Sequence, residues 1–94
     1  MYYSYWVRYL WDPKKAEANQ KKHGVALEEA VTAFADPLGI IVDDEMHPER
    51  SILIGMSGRA RILLTVFIEA EEFTRLISAR VATRPERRRY EEGE

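Results

Sequence analysis

The sequence predicts an α+β fold: a mostly antiparallel sheet of four to five strands, two helices in the N-terminal half and a short C-terminal helix. Three observations point there. Two runs that are apolar on both faces, "SILIGMS" and "RILLTVFIE", stand a short turn apart, as central strands of a sheet do. Ahead of them, two stretches of helical spacing are closed by Gly24 and by Asp36-Pro37. Behind them, Thr83 and Glu86 have the spacing of a capping box with Pro85 in the first turn, so a helix starts after the last strand.

In chain order, "YYSYWVRYLW" is aromatic and β-prone, with Trp6, Arg8 and Leu10 alternating against Tyr5, Val7 and Tyr9; this predicts a strand over about residues 4 to 11. Asp12 is a good N-cap and Pro13 suits the first helical position, where its missing N–H costs nothing, so a helix runs from Pro13 to about His23. A second helix follows from about Leu27 to Phe34, with Leu27, Ala30, Val31 and Phe34 on one side. "LGIIVDD" reads as a strand and "MHPER" as the loop after it. The two central strands turn around Ser57-Gly58-Arg59, and "EAEE" turns into the last strand, "FTRLISARVA", where Ile77, Ala79 and Val81 form an apolar face opposite Ser78 and Arg80. The order β-α-α-β-β-β-β-α implies that helices cover one face of the sheet while the other stays partly open. There is no internal repeat or linker, and residues 1–94 read as a single domain.

Composition narrows the function classes. The chain is 46% hydrophobic and 32% charged, as in an ordinary soluble globular protein, and its longest apolar run is far too short to span a bilayer. No basic and apolar leader opens it, so the expected setting is the cytoplasm. With no cysteine and only His23 and His47, it has no disulfide, no thiolate nucleophile and little material for a zinc site; the reading calls for neither metal nor cofactor. The net charge of −2 hides a segregation: all four lysines lie between Lys14 and Lys22, and six of the ten arginines between Arg75 and Arg89. Local fields govern partners because salt screens beyond about 8 Å. Two basic segments can therefore meet a polyanion.

The first helix offers only alanines as apolar residues, and Lys15, Asn19, Lys22 and His23 share one face at i, i+4, i+7 and i+8. That spacing fits first a solvated helix, with a polar working face as the sharper alternative. His23 fits first a structural role at the helix end, with a proton carrier as the alternative, since imidazole titrates near neutrality. Arg80 projects from a strand that is otherwise being buried, so it needs an anion or a partner. Arg84, Arg87, Arg88 and Arg89 surround the last helix start, and pairing with Glu86, Glu91 or the "DDE" loop competes with binding phosphate bidentately. An arginine cluster beside a histidine is a credible site for phosphodiester cleavage.

"WDPKKAEANQKKHGV", "EEA", "ERSILIG", "GRARILLTVF" and "RLISARVATRPERRRYEEG", in that order, resemble the BrnT family of bacterial type II toxin–antitoxin toxins, from about Trp11 to Gly93. The family pattern falls on Trp11, Asp12, Lys15, Asn19, Lys22, His23 and Gly24, then on Glu49, Arg50 and Gly55, and finally on Ser78, Ala79, Arg80, Ala82, Glu86, Arg87 and Tyr90. One departure is "VALEEA", where a serine-phenylalanine pair is expected: Ala26 removes an N-cap, worth about 1 kcal/mol, and Leu27 replaces an aromatic.

The resemblance implies a RelE-like fold, a ribonuclease activity that blocks translation, and neutralisation by a BrnA-like antitoxin encoded alongside. That antitoxin carries the DNA-binding domain through which the complex reaches its operator. On this basis proton transfer falls to His23, assisted by Lys22, and phosphate stabilisation to Arg80, Arg50 and Arg87, with Tyr90 orienting or stacking a base. Lys15, Asn19, Arg84 and Arg88 are the RNA-binding candidates. A single strand with a free 2′-OH suits this chemistry better than duplex DNA. The competing reading is a non-catalytic subunit that binds an antitoxin and supports autoregulation, with His23 structural. A DNA-binding protein acting alone is disfavoured because no helix-turn-helix is visible. The reading leaves room for a homo-oligomer and assigns no membrane contact.

Overall fold

The computed structural model describes residues 2–4 and 7–93. Its elements are β1 (Tyr2–Ser4), β2 (Val7–Leu10), α1 (Pro13–His23), α2 (Leu27–Ala33), β3 (Ile40–Asp43), β4 (Ser51–Met56), β5 (Ile62–Glu69), β6 (Thr74–Val81) and α3 (Arg84–Glu92). The strands form one sheet in the order β1-β2-β6-β5-β4-β3.

The expected four to five mostly antiparallel strands become six among the described residues, and the sheet is mixed. β2 runs parallel to β6 through Tyr9 and Leu10, because α1 and α2 carry the chain across before the sheet resumes. Within the single strand expected over 4–11 the structure describes β2, and β1 pairs antiparallel with it, Tyr2 opposite Tyr9; the expectations for Tyr5 and Trp6 lie outside the described residues.

Neighbouring residues on one strand point to opposite faces, so each face acquires its own core. On one face Val25, between the helices, and Leu27, Ala30 and Val31 of α2 pack over Leu53, Leu63, Phe67, Leu76 and Ala79, with Ala16 of α1 at the margin. Phe34 meets Phe67 edge-on at 5.1 Å and Tyr9 at 5.2 Å, aromatic geometries that add to area burial. At Gly55 a Cβ would come within 3.1 Å of the Ala33 carbonyl, so α2 lies on β4 as closely as it does only because that side chain is missing. On the other face Tyr90 of α3 packs against Ile54 and Leu64. The expectation that helices cover only one face is therefore corrected. The capping box at Thr83 and Glu86 turns the chain back under the sheet directly after β6.

β6 departs from regular alternation. Phe67 faces Leu76 while Val66 faces Ser78, which leaves Ile77 as an extra residue. Leu76 and Ala79, three apart, thereby reach the same core, whereas Val81 of the expected apolar face is 46% exposed.

One side chain of α1 clamps it to β6. Beyond Leu10 the outer edge of β6 has no strand beside it among the described residues, and Asn19 takes that place. Its Nδ2 donates to the carbonyls of Ala79 and Val25, both at 2.9 Å, and its Oδ1 accepts from the Ala79 N–H at 3.1 Å. The amide pairs with Ala79 as the next strand would. Truncation strands buried backbone groups, each worth roughly 1–3 kcal/mol. Asn19→Ala is expected to lower the unfolding free energy by about 3 kcal/mol in urea titrations, and Asn19→Asp, which turns a carboxylate toward two carbonyls, by at least as much.

Candidate functional site

Asp12 caps α1 by accepting from the Lys14 N–H, and Gly24, at φ 69°, ends it in the left-handed region. Lys21, Lys22 and His23 fill the last turn, where the helix dipole favours positive charge. Lys15, Asn19, Lys22 and His23 line a shallow groove of about 240 Å³ together with Ile77 and Ser78 of β6. Within it Asn19 is buried and engaged, so its place is that of a clamp rather than an RNA contact. Lys15, Lys22 and His23 make no hydrogen bond or ion pair with another described residue. Lys15 and Lys22 are the cations this groove presents, with the His23 imidazole beside them.

A second depression of about 260 Å³ lies where β5, β6 and α3 meet; Arg61 and Arg87 line it with Met56, Ile62 and Val81. Arg61 is not spare. Its Nε and Nη2 clasp Glu29, which also accepts from the Ser57 hydroxyl at 2.7 Å, and its Nη2 donates to the Gly24 carbonyl at 3.2 Å. The arginine bonds hold the Glu29 carboxyl below its usual range in spite of burial. This ion pair ties α2, the β4–β5 turn and the end of α1 together, immediately behind His23.

Arg80 is likewise committed. It grips Glu86 with two bonds of 2.8 and 2.9 Å, and Glu86 also accepts from the Thr83 N–H as the return half of the capping box. Arg80, first of all, drives the Glu86 carboxyl down to about 2. Tyr90 is buried and donates to Asp36 at 2.5 Å; that bond raises the phenol to about 12. Burial pulls Asp36 upward, but the bonds from Tyr90 and from the N–H groups of Met56 and Leu38 outweigh it and leave the carboxyl lowered.

A model of the ribonuclease toxin BrnT of type II toxin–antitoxin systems matches residues 11–86. The chain belongs to the BrnT family. The crystal structure of the Brucella abortus ribonuclease toxin BrnT is similar to it at 20% identity, with a TM-score of 0.68 over 83% of this chain and 99% of that one. Among curated proteins none matches significantly.

The BrnT-family pattern predicted one site, and the structure divides it. Lys15, Asn19, Lys22 and His23 come together beside β6. Arg80, Arg87 and Tyr90 belong to the α3 side, with Arg84 and Arg88 exposed on α3. Tyr90 is buried in the lower core and is not placed to stack a base. Arg80 is fixed by Glu86 rather than presented to phosphate. Arg50 precedes β4, separated from β6 by β5, with a Glu49 carboxylate oxygen 3.8 Å from its Nε; it lines none of these grooves. The sequence reading missed Glu29, Asp36, Ser57 and Arg61. The signal for Glu29 was present: an acid sits among Leu27, Ala30 and Val31 on the buried side of α2.

Two ionic anchors carry opposite pH signatures. Glu86 has a folded pKa below its ordinary value, so its contribution is present above about pH 4.5 and lost as pH falls toward about 2. Tyr90 has a folded pKa above its ordinary value, so its contribution is present below about pH 10 and lost as pH rises through about 12. Denaturant midpoints measured across pH are expected to lose part of the acid limb in Glu86→Gln and part of the alkaline limb in Tyr90→Phe.

Proposed function

We propose that the chain is a metal-independent endoribonuclease of RelE-like architecture that inhibits translation in the cytoplasm. A BrnA-like antitoxin neutralises it and brings the complex to operator DNA. What supports this beyond family membership is the arrangement on α1, where Lys15, Lys22 and His23 face one groove without partners among the described residues. The Asn19 clamp and the Arg61 bond to Gly24 hold the helix that carries them.

The reaction needs the ribose 2′-OH to lose its proton as its oxygen attacks phosphorus. The P–O5′ bond then breaks, and the leaving oxygen takes a proton. An imidazole near neutrality serves either transfer, and His23 is the imidazole in this groove, with Lys22 beside it. Lys15 and Lys22 supply positive charge for the phosphorane. Arg87, exposed and unpaired among the described residues, extends the basic rim along α3 toward a longer strand of RNA. In this scheme Arg80 acts through Glu86 by fixing α3, and Tyr90 acts through Asp36. The products are a 2′,3′-cyclic phosphate and a 5′-hydroxyl.

The non-catalytic subunit retains one supporting observation: Arg61 and Arg80, the cations best shaped to hold phosphate, are paired internally. Antitoxin-free protein incubated with a defined single-stranded RNA in EDTA separates the readings. Cleavage is expected, reduced by about 10²-fold or more in His23→Ala and in Lys22→Ala while the circular dichroism spectrum is unchanged. Undiminished cleavage in His23→Ala overturns the assignment, and intact RNA with wild-type protein favours the binding subunit.

A further inference from the structure

β3 is an outer strand, bonded among the described residues only to β4. The Asp44 N–H donates to the Arg50 carbonyl, which sets the parity of the ladder: Val42 and Ile40 bond to β4, and the peptide groups of Ile41 and Asp43 point away from the sheet. Three of the large apolar side chains that the fold leaves in solvent cluster along this segment, Leu38 at 69%, Ile41 at 62% and Met46 at 84% exposure. An open strand edge carrying exposed apolar residues is a surface that proteins ordinarily cover. Beside it, on the α3 face, lies a groove of about 490 Å³ lined in part by Val42, Asp43, Glu45, Ile52, Ile54 and Leu64. A strand laid along β3 sends alternate side chains to Ile41 on one face and to this groove on the other.

Charge selects the occupant. Residues 38–49 hold Asp43, Asp44, Glu45 and Glu49 and no lysine or arginine, and the adjoining groove adds Glu86 and Arg89 of α3, so the edge with its groove is acidic on balance. RNA is repelled there. A second copy of the chain brings the same acids against these, which disfavours edge-to-edge pairing with itself. We propose that the free edge of β3 receives an extended segment of the antitoxin as an added strand, with basic residues flanking alternate apolar ones. The proposal rests on the family's toxin–antitoxin assignment and is independent of which residues cleave RNA.

The test uses the full chain and the antitoxin protein produced from the gene beside its own. Amide hydrogen exchange at Ile41 and Asp43 is expected to slow at least roughly tenfold in the complex. Ile41→Lys, a change at an exposed side chain, and the pair Asp43→Lys with Glu45→Lys are each expected to weaken binding by about tenfold or more, with RNA cleavage at the wild-type rate. Ile41→Pro removes only an outward N–H, which an edge strand tolerates, and gives the same loss. Unchanged exchange at both amides in the complex, wild-type affinity in Ile41→Lys, or no binding at all overturns the proposal. So does protection of Ile41 that rises with concentration of the isolated chain, since β3 then pairs with itself. Cleavage measured on the same preparations keeps the two readings apart: protected amides without cleavage sink the catalytic assignment alone, and cleavage with unprotected amides sinks this one alone.

Discussion

The pairing of the Asn19 amide with the backbone of Ala79 is the contact on which the placing of the polar face of α1 depends. α1 has little apolar surface, with Ala16 against the core and Asn19 its buried residue, so the hydrophobic effect seats it only weakly. A directed polar contact does the rest. The geometry arises because β2 stops at Leu10 and leaves a donor and an acceptor of β6 open at a position otherwise sealed from water. Satisfying both with one amide fixes the rotation of α1 about its axis. Since Lys15, Lys22 and His23 sit on the same face as Asn19, that rotation also decides where their charges point.

Ion pairs add directed contacts on both sides of the sheet, one behind the end of α1 and one at the start of α3. Glu29–Arg61 and Arg80–Glu86 each join elements distant in sequence or direction, and in both the guanidinium makes more than one bond to the carboxylate. Fully satisfied pairs of this kind specify a unique arrangement more surely than they add net stability, because desolvation offsets much of the attraction. Asp36 plays the same part below the sheet, where one carboxylate receives the Met56 N–H, the Leu38 N–H and the Tyr90 hydroxyl. The arginine-rich end of an acidic chain is thus partly architecture: one of its arginines latches α3, and others remain on its surface.

Local signals in the chain were legible where they rest on one or two residues. Asp12-Pro13, Gly24 and the Thr83–Glu86 box mark helix ends that the structure reproduces, because caps are local chemistry. The shared face of Lys15, Asn19, Lys22 and His23 was legible for the same reason. What failed was anything set by partners far along the chain. Spacing alone made Asn19 equivalent to its lysine neighbours, and only Ala79, sixty positions on, makes it a clamp. The bulge at Ile77 is invisible to a two-residue period, and the parallel placement of β2 follows from a crossover rather than from the residues of β2. Arg80 was read correctly as needing a counter-charge, but choosing between Glu86 and a phosphate required knowing that α3 folds back beneath it.

The strand order places the two proposed surfaces at a distance that constrains how an antitoxin could neutralise the chain. β6, against which α1 packs, is three strands from β3 in the order β6-β5-β4-β3. At about 4.8 Å per strand this is roughly 14 Å, too far for a single added strand at β3 to cover the groove beside His23. An antitoxin anchored at β3 must therefore carry a second segment if it is to block RNA directly. The basic groove and the acidic edge have opposite charge, so the two segments need opposite composition. Once the basic segment is docked, the acidic one is held at high effective concentration and can be individually weak. A toxin surface segregated into acidic and basic ends, rather than evenly mixed, gives such a two-part partner its orientation.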